Sequence, residues 1–476
     1  MSQQYNKMGR PSQLRFTRRS LLGLGLGAAA AASAPHIWIP RAAAASGAHG
    51  SIKHLIFIRL SGGFRFPTAF NGDVAEEFNP FGVAQGVPDG VQWGVSSLLS
   101  AASYLTADAG MGDGTTLSSL GMRSVAQMAD QITVMPTIDH EPLAGRADGN
   151  HTTGLERYLT GYVNGEAGIF TRIQRGLSAR YEQALKDGVL LLPPFVMGSA
   201  GMARGFGDFA EFRPPVLSGA GFDRFASKEA DPPAWAKRMI TETDVRMRER
   251  QHPALRGQID AFIQTRAATE AYSDIFASET LRIDNDSDEA VDGISNRMLA
   301  TLLGDSGESA DLRLGLRLFH HGCPAVYLDQ GGYDYHSDEE ENLPTAIERL
   351  NRLLSGLEAA LKLMDHPDGG KYWDHTVVAL GSEFSRTAGG SRFNSARGSD
   401  HSGDNSTRWM SMPLFGGPVP GGRIVGASTA RADLAAEGTV YSYRALVNTL
   451  MDGLGCDSEV FFPGDDLIPD LLAEVS

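Results

Sequence analysis

Lys53-His54-Leu55-Ile56-Phe57-Ile58-Arg59-Leu60 leads straight into Ser61-Gly62-Gly63, and this short apolar run halted by glycines narrows the available folds more than any other feature. A strand with one face in water alternates apolar and polar residues, whereas an unbroken apolar run is buried on both faces, as in a parallel sheet. Ile132-Thr133-Val134-Met135, Ala325-Val326-Tyr327-Leu328 and Thr376-Val377-Val378-Ala379-Leu380 are runs of the same kind. Between the last two, Ile347, Leu350, Leu354, Leu357, Leu361 and Met364 recur in steps of three and four, on one face of a helix. Strand, helix, strand predicts a βαβ unit, and with it a three-layer α/β/α sandwich around a mostly parallel central sheet. Residues from about 233 to 283 contain no strand-like run, and Ile259, Phe262, Ile263, Ile275 and Phe276 supply an apolar helical face. That stretch is expected to be a helical insertion in a single domain spanning residues 46–476.

The first 45 residues read differently. Thr17-Arg18-Arg19-Ser20-Leu21-Leu22 follows a basic segment with Lys7, Arg10 and Arg15, and precedes a Gly- and Ala-rich apolar run. Small residues suited to cleavage stand at Ala32-Ser33-Ala34 and at Ala42 to Ala45. This is the layout of a secretory signal of the twin-arginine type. The run is broken by Gly23, Gly25 and Gly27 and falls short of the roughly 20 apolar residues a spanning helix needs. The expected partner during export is the twin-arginine translocase, and the expected location is the periplasm or the exterior, with no membrane span in the mature chain.

Charge bears on partners. The chain carries 42 basic and 57 acidic residues, a formal net charge of −15. Six of the basic residues and none of the acids lie within 1–45, so the remainder is more acidic still. Such a surface repels phosphate backbones and anionic lipid, and nucleic acid is not expected as a partner. Cys323 and Cys456 are too few for a disulfide framework. Whether they bond to each other stays open, since spacing in sequence says nothing of their separation in space. Asp284-Asn285-Asp286-Ser287-Asp288 has oxygens at alternate positions, but Glu289 and Ser295 stand where a calcium loop needs its turn glycine and closing glutamate. A solvated acidic loop is expected there.

The strand ending at Leu328 runs into Asp329-Gln330-Gly331-Gly332-Tyr333-Asp334-Tyr335-His336. The strand ending at Leu380 runs into Gly381-Ser382-Glu383-Phe384-Ser385-Arg386-Thr387, and later into Ser399-Asp400-His401. Ligands of open α/β sheets bind beyond the carboxyl ends of the strands. Two Asp/His pairs after two such strands can therefore converge on one crevice, where carboxylate oxygen and imidazole nitrogen suit zinc, manganese or iron.

These motifs, in this order, resemble the twin-arginine-exported family called domain of unknown function 1501, within the alkaline phosphatase and sulfatase superfamily. The resemblance runs from Gly62-Gly63 to Gly421-Gly422-Arg423 and is closest at Gly331 to His336, Ser382 to Thr387 and Ser399 to His401. It implies an alkaline-phosphatase-like fold with a metal site at the carboxyl edge of the sheet. On that implication Asp334, His336, Asp400 and His401 are metal-site residues holding a divalent ion such as zinc or manganese.

The resemblance also bears on Asn150-His151-Thr152-Thr153, which precedes Thr160-Gly161. The superfamily keeps its nucleophile at a fixed count before the glycine of a Thr-Gly pair, and the same count back from Gly161 lands on His151. His151 is then a candidate metal ligand, general base or phosphate acceptor, Thr152 and Thr153 are candidate hydroxyl nucleophiles, and a helix-capping histidine is the plain alternative. The chain departs from the family pattern just after Gly62-Gly63, where Phe64-Arg65 replaces a metal-binding aspartate. Arg65 is a candidate anion clamp in its place. No Cys-x-Pro-x-Arg signature exists, since Cys323-Pro324-Ala325-Val326 lacks the arginine. Two functions are expected from this: an exported, metal-dependent hydrolase of small phosphate or sulfate esters, or a non-catalytic exported binding or scaffold protein on the same fold.

Overall fold

The computed structural model of the chain describes residues 50–70, 81–110, 113–140, 150–217, 234–252, Arg256, Tyr272, 274–283, 288–336, 339–386, 409–427 and 438–473. Residues 1–45, read above as an export signal, Ile259, Phe262 and Ile263 of the expected helical face, residues 284–287 of the acidic run, and Asp400 with His401 lie outside them.

All four apolar runs are strands of one eight-stranded sheet. They are β1 (His54–Leu60), β2 (Ile132–Asp139), β6 (Ala325–Gln330) and β7 (Thr376–Gly381). Three further strands complete its main path: β3 (Phe195–Met197), β8 (Trp409–Phe415) and β10 (Tyr441–Ser442); β9 (Arg423–Ile424) pairs with β2 alone. Two short strands, β4 (Ala290–Val291) and β5 (Ile294–Ser295), form a separate hairpin. The order across the main sheet is β10-β2-β8-β7-β1-β6-β3. β1 pairs in parallel with both β6 and β7, and every one of its residues is buried. Only β8, among the described strands of this sheet, runs against the rest.

Side chains alternate between two helical layers. Leu55 and Phe57 of β1, Tyr327 of β6, and Val377 and Ala379 of β7 share a core with Tyr158, Phe170, Ile173, Leu446 and Leu450. Those residues belong to the helices His151–Thr160, Ile169–Gly176 and Tyr443–Gly453. On the other face, helix Gly307–His320 lies so close to β6 that a Cβ at Gly315 would meet Val326 at 3.2 Å. Helix Glu339–Leu363 connects β6 to β7 and buries all five of its predicted apolar positions, with Met364 just beyond it also buried. Burying each such side chain contributes roughly 1.5–3 kcal/mol. The architecture is therefore mixed α/β, a mostly parallel sheet with helices on both sides, as expected. In the stretch expected to be helical, Ala234–Arg250 is a helix. Cys323 and Cys456 are both free and buried. No described helix is long and apolar enough to cross a membrane.

At the amino edge of the sheet, hydrogen bonds fix the protons of two histidines. His54 Nδ1 donates to the Cys323 carbonyl at 2.8 Å, so Nε2 is its acceptor. His366 Nδ1 accepts from the Asp368 amide at 3.0 Å, so its Nε2 donates to His54 Nε2, 3.1 Å away. A proton added to either ring would set two N–H groups against each other. Burial, foremost, lowers the His54 pKa to about 3, with His366, Arg180 and His375 adding repulsion. Burial likewise lowers His366 to about 4, with His375 beside it. Both folded values lie below the unfolded one, so the stability these neutral rings contribute is present above about pH 6.5 and lost as pH falls toward 3. For fully buried His54 the loss is on the order of 4–5 kcal/mol over that window. Urea unfolding of the protein should show this slope, and His54→Asn, which keeps the bond to Cys323 but cannot take up charge, should flatten it. An equal slope in that variant would remove His54 as the cause.

Candidate metal centre

Three adjacent strands, β7, β1 and β6, end together at the carboxyl edge, and the loops that leave them build the site. The chain after β1 turns through Gly62 (φ +121°) and Gly63 (φ +78°), conformations that disfavour any other residue. Space demands glycine as well: a Cβ at Gly62 would lie 2.5 Å from the Asp334 amide, and one at Gly63 would lie 2.2 Å from the Phe384 ring. The Gly-Gly pair thus lets the loops after β6 and β7 close over the end of β1.

His151 is the first residue of its helix. Asn150, not His151, is the cap, its side chain accepting from the Thr152 amide at 2.8 Å and the Thr153 amide at 3.4 Å. Those amides are therefore committed to Asn150 and do not face an incoming anion. The helix buries Tyr158 and Leu159, with Leu155 partly buried, and its Gly154 passes so close that a Cβ would meet Phe384 at 2.9 Å. Phe384 in turn packs on the His151 ring, centroids 4.9 Å apart.

The side chains that meet are His151, Asp334 and His336, whose ligand atoms lie within 4.8 Å of one another. His151 Nε2 stands 3.5 Å from Asp334 Oδ2, and His336 Nε2 stands 3.1 Å from Asp334 Oδ1. All three are open to solvent, with side-chain exposures of 38%, 47% and 53% for His151, Asp334 and His336. Behind them is Glu383, buried, whose Oε1 accepts from the Gly62 amide at 2.9 Å and from His151 Nδ1 at 3.3 Å. The hydrogen bond to Glu383, foremost, raises the His151 pKa; burial opposes it and the Asp334 charge adds to it. Burial would raise the Asp334 pKa, but the charge and hydrogen bond of Arg386 outweigh it and hold this carboxyl below its usual range. Glu383 is likewise held low against its burial, by the bond from His151 and the charge of Arg59.

Arg386 ties the loops together. Its Nε donates to the Gly63 carbonyl at 2.9 Å, one terminal nitrogen to Tyr335 at 2.9 Å, and the other to Gly62 at 2.6 Å and to Asp334. The cation that meets the site carboxylate is thus Arg386. Arg65 lies at the end of the same glycine turn, enclosed at 1% exposure, with its carbonyl capped by Thr68. In sequence, Glu383 and Arg386 stand within the Ser382 to Thr387 motif with nothing to mark what either does. The signal that could have singled them out is that both directly follow a strand end, two and five residues past Gly381.

Two imidazole nitrogens and one carboxylate oxygen, with an open side, form the donor set of a three-ligand catalytic zinc site, and also suit manganese. Asp334, already held ionised, is fit to ligate without first losing a proton. The residues present therefore fit a divalent ion.

A family model described as "Protein of unknown function (DUF1501)" matches residues 107–468. The chain belongs to that family. No curated protein matches this DUF1501 member significantly. Among solved structures it is similar to the integral membrane protein lipooligosaccharide phosphoethanolamine transferase A (EptA) from Neisseria meningitidis, with 9% identity and a TM-score of 0.31. That overlap covers 96% of this chain but 64% of the transferase, so the DUF1501 chain spans less than two thirds of that relative. It is also similar to a protein in the alkaline phosphatase superfamily from Vibrio parahaemolyticus, with 10% identity, a TM-score of 0.31, and 89% of this chain and 70% of the other covered. The C-terminal periplasmic domain of EcEptC from Escherichia coli follows at 9% identity and a TM-score of 0.28, with 92% of each chain covered. Overlaps this loose carry nothing about chemistry.

Proposed function

We propose that this DUF1501 protein is an exported, metal-dependent hydrolase of small phosphate or sulfate esters, with its ion held by His151, Asp334 and His336. The observation that carries the reading is the meeting of these three ligand atoms at the carboxyl edge of the sheet. Asp400 and His401 are proposed as further ligands from the adjoining segment. A bound divalent ion would polarise the ester and stabilise charge on the transferring group.

The residues of the chain do the rest. His151 has Nδ1 engaged by Glu383 and turns Nε2 toward Asp334. That favours a ligand role for His151 over attack on the ester. Asp334 supplies the anionic ligand, and Arg386 holds it in place. Thr152, exposed one residue on, is the neighbouring hydroxyl. Export by the twin-arginine route is part of the proposal and rests on Arg18-Arg19 and the segment around them.

One observation favours a second reading. Arg386 already neutralises Asp334, and a charge so placed weakens a site for a cation. A non-catalytic exported binding or scaffold protein would tolerate this. Elemental analysis of the exported protein, with assays of a phosphomonoester, a phosphodiester and a sulfate ester in zinc or manganese, separates the two. The hydrolase reading expects bound metal, turnover of one ester class, and loss of at least about 100-fold in metal affinity in Asp334→Asn. No turnover with either ion leaves the scaffold reading.

A further inference from the structure

Holding an ion through His151 Nε2 requires that the proton of the neutral ring sit on Nδ1 and that the ring not turn over. The geometry points to Glu383 as the positioning residue of the centre: by accepting from His151 Nδ1 it fixes the ring and presents Nε2 toward Asp334. This rests on the metal-centre reading given above.

Glu383 is built not to move. Its side chain is 4% exposed, and a carboxylate buried that far is tolerated only when charge and hydrogen bonds compensate it. Both oxygens are so compensated. Oε1 takes the Gly62 amide and His151 Nδ1. Oε2 lies 3.2 Å from the Ser382 hydroxyl and 3.9 Å from an Arg59 nitrogen. Arg59 is itself anchored, its Nε donating to Asp329 at 2.8 Å, and Asp329 receives the Tyr327 hydroxyl at 2.5 Å and the Ser199 amide at 2.6 Å. Glu383 is therefore the last member of a chain of fixed groups that crosses from β6 through β1 to the loop after β7.

An ionised carboxylate only accepts hydrogen bonds, so the group facing it must be N–H. Nδ1 is thereby the protonated nitrogen of neutral His151, and the lone pair falls on Nε2. Phe384, itself confined between Gly63 and Gly154, packs against one side of the ring. A carboxylate behind a ligating histidine sets its tautomer and raises its basicity, and loss of such a partner typically costs about 10–100-fold in metal affinity.

The test uses the full chain, metal-free, with nitrogen-15 in its histidines, at a pH where His151 is neutral. The parent should show the His151 proton on Nδ1. Glu383→Ala should shift it toward Nε2, the form an unconstrained histidine prefers, and should weaken zinc binding, measured by calorimetry with zinc alone, by about 10–100-fold. A proton still on Nδ1 with zinc affinity unchanged would make Glu383 a staple for the Gly62 amide and nothing more. Should Glu383→Ala fail to fold, Glu383→Asp decides by the same two readouts, since it keeps the charge but withdraws the carboxylate by one methylene. No change in either readout overturns the inference. A parent that takes up no zinc while its tautomer follows Glu383 defeats the metal-centre reading and leaves the positioning role. A parent that binds zinc with equal affinity in both variants does the reverse.

Discussion

His151→Ala is expected to lower ester turnover by roughly 10³-fold or more, the loss that follows when several kcal/mol of metal-borne stabilisation is removed. It should scarcely alter the fold. The ring is 38% exposed, and the helix it begins is capped by Asn150 and buries its far end through Tyr158 and Leu159. The unfolding free energy should fall by about 1–3 kcal/mol, since the cap and the core stay but buried Glu383 loses one of its donors. Zinc content, turnover and urea unfolding of the variant, measured together, check this. Turnover that survives with metal still bound would remove His151 from the centre, although the strand-edge position would stand.

Arg386→Ala should show the opposite pattern, with stability falling first. The Arg386 side chain has no exposed surface and donates to three carbonyls and one carboxylate. Its removal leaves the Gly62, Gly63 and Tyr335 carbonyls without that donor and opens a void, at a cost of about 3–5 kcal/mol. Arg386→Lys keeps the charge but replaces a planar fork with a single ammonium, so it should recover only part of the loss. Denaturant unfolding of both variants measures the difference. A near-parental free energy in Arg386→Ala would mean that the loops hold one another without it.

What the sequence made legible follows from how each element is buried. The runs that became β1, β6 and β7 stand in the middle of the sheet with both faces covered, so they are continuously apolar and plain to see. β8 escaped because it carries Pro413 in its centre, a residue that usually argues against an inner strand. β2 includes Pro136 as well, and the ladder shifts register there, between Met135 and Ile138. β3, at three residues, is too short to display a period. At the site, Asp334 and His336 were legible from their place after a strand, and His151 from its count to Gly161. Glu383 and Arg386 were not, because their work depends on which loop they face. Nothing in Ser382-Glu383-Phe384-Ser385-Arg386 says that one side chain turns back to a histidine 232 residues earlier while the other reaches glycine carbonyls more than 320 residues away.

That same reach sets the order in which the protein can come into being. β1 is among the first described segments to be made, yet both strands that flank it come more than 260 residues later, and Gly62 is joined to Arg386 across 324 residues. Until the ribosome has released β6, β1 is an apolar ribbon with two bare edges, and until Arg386 has followed the centre is incomplete. Contacts so distant are slow to form and leave the early chain prone to stick to others. A carrier that accepts only finished cargo would suit such a chain, since a chain threaded through a pore as it emerged would have to keep β1 unpaired until the journey was nearly over.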